Sequence, residues 1–498
     1  MASTKTVSAA KARKRAGHGA AAVLLALLAA GCDSVTSRGI LGDGLTSQGR
    51  EAVVQTIPAT VDEFGGPYSD VNLQRYVQTL VDVLVRASGS PDWTIKAILL
   101  NSPAVNVFSM PTREILVTRG MLAALNNEAE LAGVLAHQIA MINNGSITRQ
   151  FEAARLQSPG VRAHAMLVPG TVLARMTRFL AAPHLVPFDP QLTVGADPVA
   201  VRMMANAGYD PAALSTALSA LQRSSSVEAA DQSIEPGVDP LHYTTLYGRE
   251  ERVLVDAIRK TELKPATPLI ADREVYLQSI DGLPVDHDSR FGTVDGRTYR
   301  NVAMGFAIDV PPGFRVVPFQ DLVVARGPSG TGLAMDVIRV DQLPRLPIYV
   351  TEVFGRQFVN QGVMRGLEPI KVNGKDGATA SARLETSAGP VDYRLVVVRF
   401  AKDRLVRMVF VSPGDLTQTL SLDYRRTGFS LRELAPGEAQ QLPPRRVQIV
   451  RPGFGETFEV LAARMPYRTL QLERLFALNG LAPGAEIAPA ESLKTVRR

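Results

Sequence analysis

The segment from Asn127 to Asn143 constrains this chain more than any other. It carries Leu131, Val134, Leu135, Ile139, Met141 and Ile142 among alanines, with its charges confined to Glu128 and Glu130. This pattern predicts a strongly apolar helix that opens at Asn126 or Asn127 as cap. A helix without a polar face belongs inside a fold. One imidazole, His137, sits in this apolar run, followed by Gln138 and, four residues on, Met141.

Around this helix the chain has a definite order. Leu73, Val77, Leu80, Val81 and Leu84 recur at helical spacing between Asp70 and Ala87, predicting an amphipathic helix. Short strands are expected at Ile95 to Leu100 and Glu114 to Val117, and helices at Thr193 to Ala207 and Pro211 to Gln222. From about residue 300 to 430 apolar and polar residues alternate, with Lys402-Asp403 as a turn between two strands. That pattern predicts a mostly antiparallel β domain. A Pro-rich break at Leu442-Pro443-Pro444 precedes a small final unit. The expected divisions are therefore 1–31, 32–65 as tether, 66–263, 264–299 as linker, 300–435 and 445–498. The expected fold class is α+β.

The charge balance excludes one class of function. The net charge is +6, and five basic residues (Lys5, Lys11, Arg13, Lys14 and Arg15) precede residue 32 without any acidic partner. Removing those five from +6 leaves +1, so no bulk attraction to nucleic acid is expected. The basic start leads into an apolar run from Ala20 to Ala30 and then Gly31-Cys32. Such a run is too short to span a bilayer but suits a signal peptide. Cys32 is the one cysteine of the chain, which excludes disulfides within it. Leu28-Ala29-Ala30-Gly31-Cys32 resembles a bacterial lipobox, and that resemblance implies lipidation of Cys32 and membrane anchoring at the periplasmic side of the envelope. Ala29 departs from the usual leucine. Asp33, in enteric bacteria, would favour the inner membrane.

Several ordered segments carry a second resemblance. Asn106-Val107-Phe108-Ser109-Met110-Pro111 is followed by Ile115-Leu116-Val117-Thr118-Arg119-Gly120, then by Asn127 to His137, Ala196-Asp197 and Ala207-Gly208-Tyr209-Asp210-Pro211. In this order and spacing, residues 55–260 resemble the M48 family of zinc metallopeptidases, of the HtpX-like and BepA-like kind. The resemblance implies a helix-rich zincin-like domain with an HExxH helix. In such a helix two histidines four apart ligate Zn²⁺ from one face, and the glutamate between them takes a proton from the bound water. Here His137 stands at the first ligand position, Gln138 at the base, Met141 at the second ligand and Thr193 at the third. Thr245-Leu246-Tyr247 and Arg252 occupy a later segment where the family carries a histidine. A neutral amide is no general base, and a thioether is a poor ligand for Zn²⁺.

Substitute ligands are not evident. Glu130 lies seven residues before His137, roughly 10 Å along the helix axis, too far to share a metal. His164, His184 and His242 are placed by no motif. Zinc, the family's cofactor, is therefore not expected to bind here. Asn106, Phe108 and Pro111 belong to the segment that borders the substrate cleft in the enzymes, so a groove for peptide or protein is expected to persist. Residues 447–496 resemble a LysM module through Pro452 to Ala462 and Leu475 to Leu481, implying contact with peptidoglycan. Glu456 and Ala490 depart from that pattern. The leading expectation is a non-catalytic envelope lipoprotein that binds peptide or protein, with a part in envelope quality control. Its rivals are an active zinc endopeptidase with substitute ligands and a spacer whose C-terminal unit does the binding.

Overall fold

The computed structural model describes residues 64–149, 195–232 and 270–498, apart from 320–321, 359–363, 387–388, 439–442, 483 and 488–490, together with a few positions between 54 and 62. Cys32, Thr193, the 245–252 segment, the three unplaced histidines and Ala490 lie outside the described residues.

The fold is α+β. Helix α1 (Val71–Ala87) starts where Asp70 Oδ1 accepts from the backbone N–H groups of Asn72 and Leu73, satisfying donors that the first turn leaves unpaired. Its periodic face, Leu73 to Leu84, is buried as predicted. Strands β1 (Lys96–Leu100), β2 (Val107–Ser109) and β3 (Glu114–Thr118) form a sheet in the order β1-β3-β2, with β1 parallel and β2 antiparallel to β3. Gln74 and Gln78 of α1 hydrogen-bond the backbone of β1 at residues 97 and 99 and of Ile95 just before it, closing that edge of the sheet.

After the short helix α2 (Arg119–Ala124) comes α3 (Glu128–Asn143), in which every residue from Ala129 to Ile142 is buried. Helices α4 (Asp197–Asn206), α5 (Ala213–Gln232) and α6 (Arg273–Ile280) follow. One core joins α1, the sheet, α2 through α6 and, from the far end of the chain, Val447.

Residues 293–433 form the β domain. Strands β4 (Thr293–Asp295), β5 (Thr298–Asn301) and β6 (Phe306–Asp309) make a small sheet. Strands β7 (Arg315–Pro318), β8 (Leu322–Arg326), β9 (Gly332–Arg339), β10 (Arg365–Val372), β11 (Lys375–Thr386), β12 (Gly389–Ala401) and β13 (Arg404–Pro413) make an antiparallel sheet ordered β10-β11-β12-β13-β9-β8-β7. The expected turn at Lys402-Asp403 joins β12 and β13. Both faces of this sheet are covered. Leu395 and Val397 enter one core with Phe354 and Phe358, while Val396 and Val398 enter another with Phe306 and Tyr424. Strand periodicity sends alternate residues to opposite faces, so the unbroken apolar run at 395–398 marks two-sided burial.

Two parts of the 300–430 stretch are helical among the described residues, the first being 346–357. Residues 417–430 form helix α7 (Thr417–Ser430), whose buried Tyr424, Thr427 and Gly428 recur at helical spacing, and which caps the second core. Strand β14 (Arg432–Glu433) then joins β6. The final unit is β15 (Arg446–Val450), α8 (Phe458–Ala463), α9 (Gln471–Leu478) and β16 (Leu493–Arg497), with β15 and β16 antiparallel.

Candidate functional site

The site is built on α3, because burial of that helix on all sides fixes each of its side chains. Asn127 caps it, with Oδ1 accepting from the Glu130 N–H at 2.8 Å. The Glu130 carboxylate reaches back to accept from the Asn126 N–H at 2.7 Å, a reciprocal arrangement of the capping-box type. Gly133, near the middle, lets α5 approach closely. A Cβ there would meet Leu214 Cα and Cβ at 3.1 Å.

His137 is fully buried, and its Nδ1 lies 2.9 Å from Oδ1 of Asp197, the first residue of α4. With Nδ1 facing the carboxylate, Nε2 is the ring nitrogen left for another partner. That nitrogen is buried and has no hydrogen-bond partner among the described residues. A carboxylate on one ring nitrogen and a free lone pair on the other is how proteins orient a histidine toward a metal. Asp197 belongs to the Ala196-Asp197 segment of the family resemblance. Its partner is sixty residues away in sequence, a pairing that this match to the family pattern could have flagged.

The other helix positions do not complete a zinc set. Gln138 and Met141 are both buried on α3. Among the described residues no three His, Cys, Asp or Glu side chains come together as a metal-ligating group. Glu128 and Glu130 serve elsewhere. Glu128 accepts from the hydroxyls of Tyr76 (2.7 Å) and Tyr209 (2.8 Å), and Glu130 accepts from Thr216 at 2.8 Å. Burial together with the neighbouring Glu128 carboxylate raises both tyrosine pKa values, so these tyrosines remain donors.

The segment beside the helix is built from the same economy. Thr118 Oγ1 accepts from the Asn106 N–H at 3.1 Å and donates toward the Asn106 carbonyl at 2.9 Å. Asn106 is fully buried, and neither atom of its amide has a partner among the described residues. Phe108 is half-buried, its ring 5.1 Å from that of Phe64, and Pro111 is buried. Strand β2 packs against α3, which places this segment alongside the helix that carries His137.

A family model described as Peptidase family M48 matches residues 72–244. Those residues are an M48 peptidase domain. The beta-barrel assembly-enhancing protease of Escherichia coli K12 is 25% identical over 162 residues, covering 31% of this chain and 33% of that protein. The mitochondrial metalloendopeptidase OMA1 of Arabidopsis thaliana is 29% identical over 120 residues, covering 23% of each. The chain therefore spans about a third or less of the length of these relatives. Among solved structures, the cyanobacterial PsbP (CyanoP) of Synechocystis sp. PCC 6803 is 15% identical and covers 29% of this chain and 98% of its own, at a TM-score of 0.25, a level that carries no argument.

The M48 domain explains why His137 is oriented as it is, but the residues around it do not fit the zinc of that family. One imidazole, an amide in place of a base and a thioether in place of the second imidazole leave the ion short of nitrogen and oxygen donors. The His137–Asp197 pair is retained without that set and now joins α3 to α4. Replacing Asp197 by alanine strands a buried N–H and is expected to cost about 2 kcal/mol, read from urea unfolding midpoints. Asp197→Asn, which keeps an acceptor, should lose clearly less. Equal losses for the two would show that the hydrogen bond contributes nothing.

Proposed function

We propose that this chain is an envelope-anchored, catalytically silent M48-type protein that binds extended peptide or a partner protein at the old cleft. The observation that carries silence is the state of α3. His137 is held in a ligand-like orientation, but the position after it is an amide and the position one turn on is a thioether. Without a base and a second histidine, water activation has no agent.

The binding half of the reading is supported by the sheet. The β1 edge is covered by Gln74 and Gln78, whereas β2 pairs with β3 alone among the described residues. An edge beside α3 with no further strand partner among the described residues suits an extended peptide that adds as a strand. Anchoring rests on the lipobox-like sequence ending at Cys32.

The purified chain is expected to carry far less than one zinc per molecule and to release no peptides from casein, with or without added zinc. Elemental analysis and a casein assay read both. Stoichiometric zinc together with cleavage abolished by His137→Ala would overturn the proposal and establish the rival, an active endopeptidase with substitute ligands.

A further inference from the structure

The residues that spoil α3 for zinc form a donor pair of another kind. We propose that His137 and Met141 bind a soft monovalent ion, Cu(I), at the position where the family holds zinc. The inference rests on the loss of the zinc set described above.

The first observation is the buried Nε2 of His137, which has no partner among the described residues. An unsatisfied buried polar atom costs about 1–3 kcal/mol, so this nitrogen invites an occupant. The second is Asp197, whose carboxylate holds Nδ1 at 2.9 Å and so both fixes the ring and strengthens Nε2 as a donor. The third is Met141, four residues on and 3% exposed. Residues four apart stand on one helical face one above the other, the spacing at which two side chains of one helix chelate a single ion.

Donor chemistry then selects the ion. A thioether with an imidazole is a soft set, suited to Cu(I) and poor for Zn²⁺. Zinc asks for four ligands, whereas Cu(I) is stable with two or three. The flanking Leu135, Ala136, Ile139 and Ala140 are fully buried and apolar, an environment in which a divalent ion is costlier to bury than a monovalent one.

The test is an anaerobic titration with Cu(I), buffered by the chromogenic competitor bicinchoninate, on the chain carrying Cys32→Ser so that no free thiol competes. One Cu(I) per chain is expected, with Zn²⁺ unable to displace it. X-ray absorption at the copper edge should report both nitrogen and sulfur neighbours. Met141→Leu conserves core volume and should keep the fold while losing the copper. Asp197→Asn should weaken binding by about tenfold. Copper that is not retained, or that is retained equally by a folded Met141→Leu chain, overturns the proposal and leaves the silent-peptidase reading intact. Stoichiometric zinc with casein cleavage overturns both.

Discussion

Gly120→Ala is expected to destabilise the protein by about 3 kcal/mol or more, enough to remove most soluble protein from a cell extract. Gly120 lies in α2, where its N–H donates to the Ser102 carbonyl at 3.0 Å. A Cβ there would stand 2.1 Å from the Pro103 carbonyl oxygen and 2.4 Å from that of Ala104. Both obstacles are backbone, so no side-chain rotation relieves the clash. The loop that leads into Asn106 and β2 would have to move, and with it the edge beside α3. Thermal unfolding and soluble yield are the measurements. A variant that unfolds within a degree or two of the parent would mean that residues 103–104 are not held against α2.

Lys494→Ala is expected to cost about 3 kcal/mol and to free the C-terminal unit from the M48 domain. Lys494 is 0% exposed, and its Nζ donates to the carbonyls of Ala123 (2.8 Å) and Leu125 (2.5 Å) at the end of α2. Its own backbone is clamped by Asn479, which accepts from the Lys494 N–H and donates to its carbonyl, each at 2.8 Å. Removing the ammonium strands two carbonyls, and removing its stem leaves a cavity. Limited proteolysis of the variant should release a fragment beginning near residue 440, while the parent resists.

The same lysine gives stability a pH dependence of known sign. Burial pulls its pKa down to about 7, Glu130 opposes that shift, and Arg273 reinforces it. The unfolded chain, with a lysine near 10.4, therefore binds this proton in a range where the folded chain does not. Stability from this group rises with pH from about 7 toward about 10, and its full burial penalty applies below about 7. Comparing the parent with Lys494→Met between pH 6 and 9 isolates it. A parent curve parallel to that of the variant would show that the site does not titrate as described.

Much of the scaffold was legible because local signals and tertiary demands agree. Asp70 and Asn127 cap the helices that follow them, and the apolar face of α1 is the buried one. The segments that carried the family resemblance turn out to be structural devices. Gly120 admits a crossing backbone. Arg119 hydrogen-bonds Asn101 at 2.8 Å and the carbonyls of Pro284 and Asp286. Tyr209 ties the loop between α4 and α5 to Glu128.

What sequence reasoning missed depends on long-range pairing. Helix α7 lies inside the stretch expected to be mostly antiparallel strand, and its buried Tyr424, Thr427 and Gly428 follow helical rather than strand spacing. Lys494 is an ordinary lysine in Leu493-Lys494-Thr495-Val496, and no local pattern says that its ammonium enters another domain. Nor could spacing alone join His137 to Asp197. Gly480, read as part of a module that faces the cell wall, instead accepts from Arg223 of α5 at 2.8 Å through its carbonyl.

The placement of Val447 in the first core has a bearing on how the protein is made. The chain leaves the ribosome from its N-terminal end, and domains normally fold as they emerge. This core includes Tyr276, Leu277, Ile280 and Leu283 as well as Val447, residues synthesised long after α3. This core is therefore complete only after residue 447 has been synthesised. Contacts so distant along the chain slow the final closure.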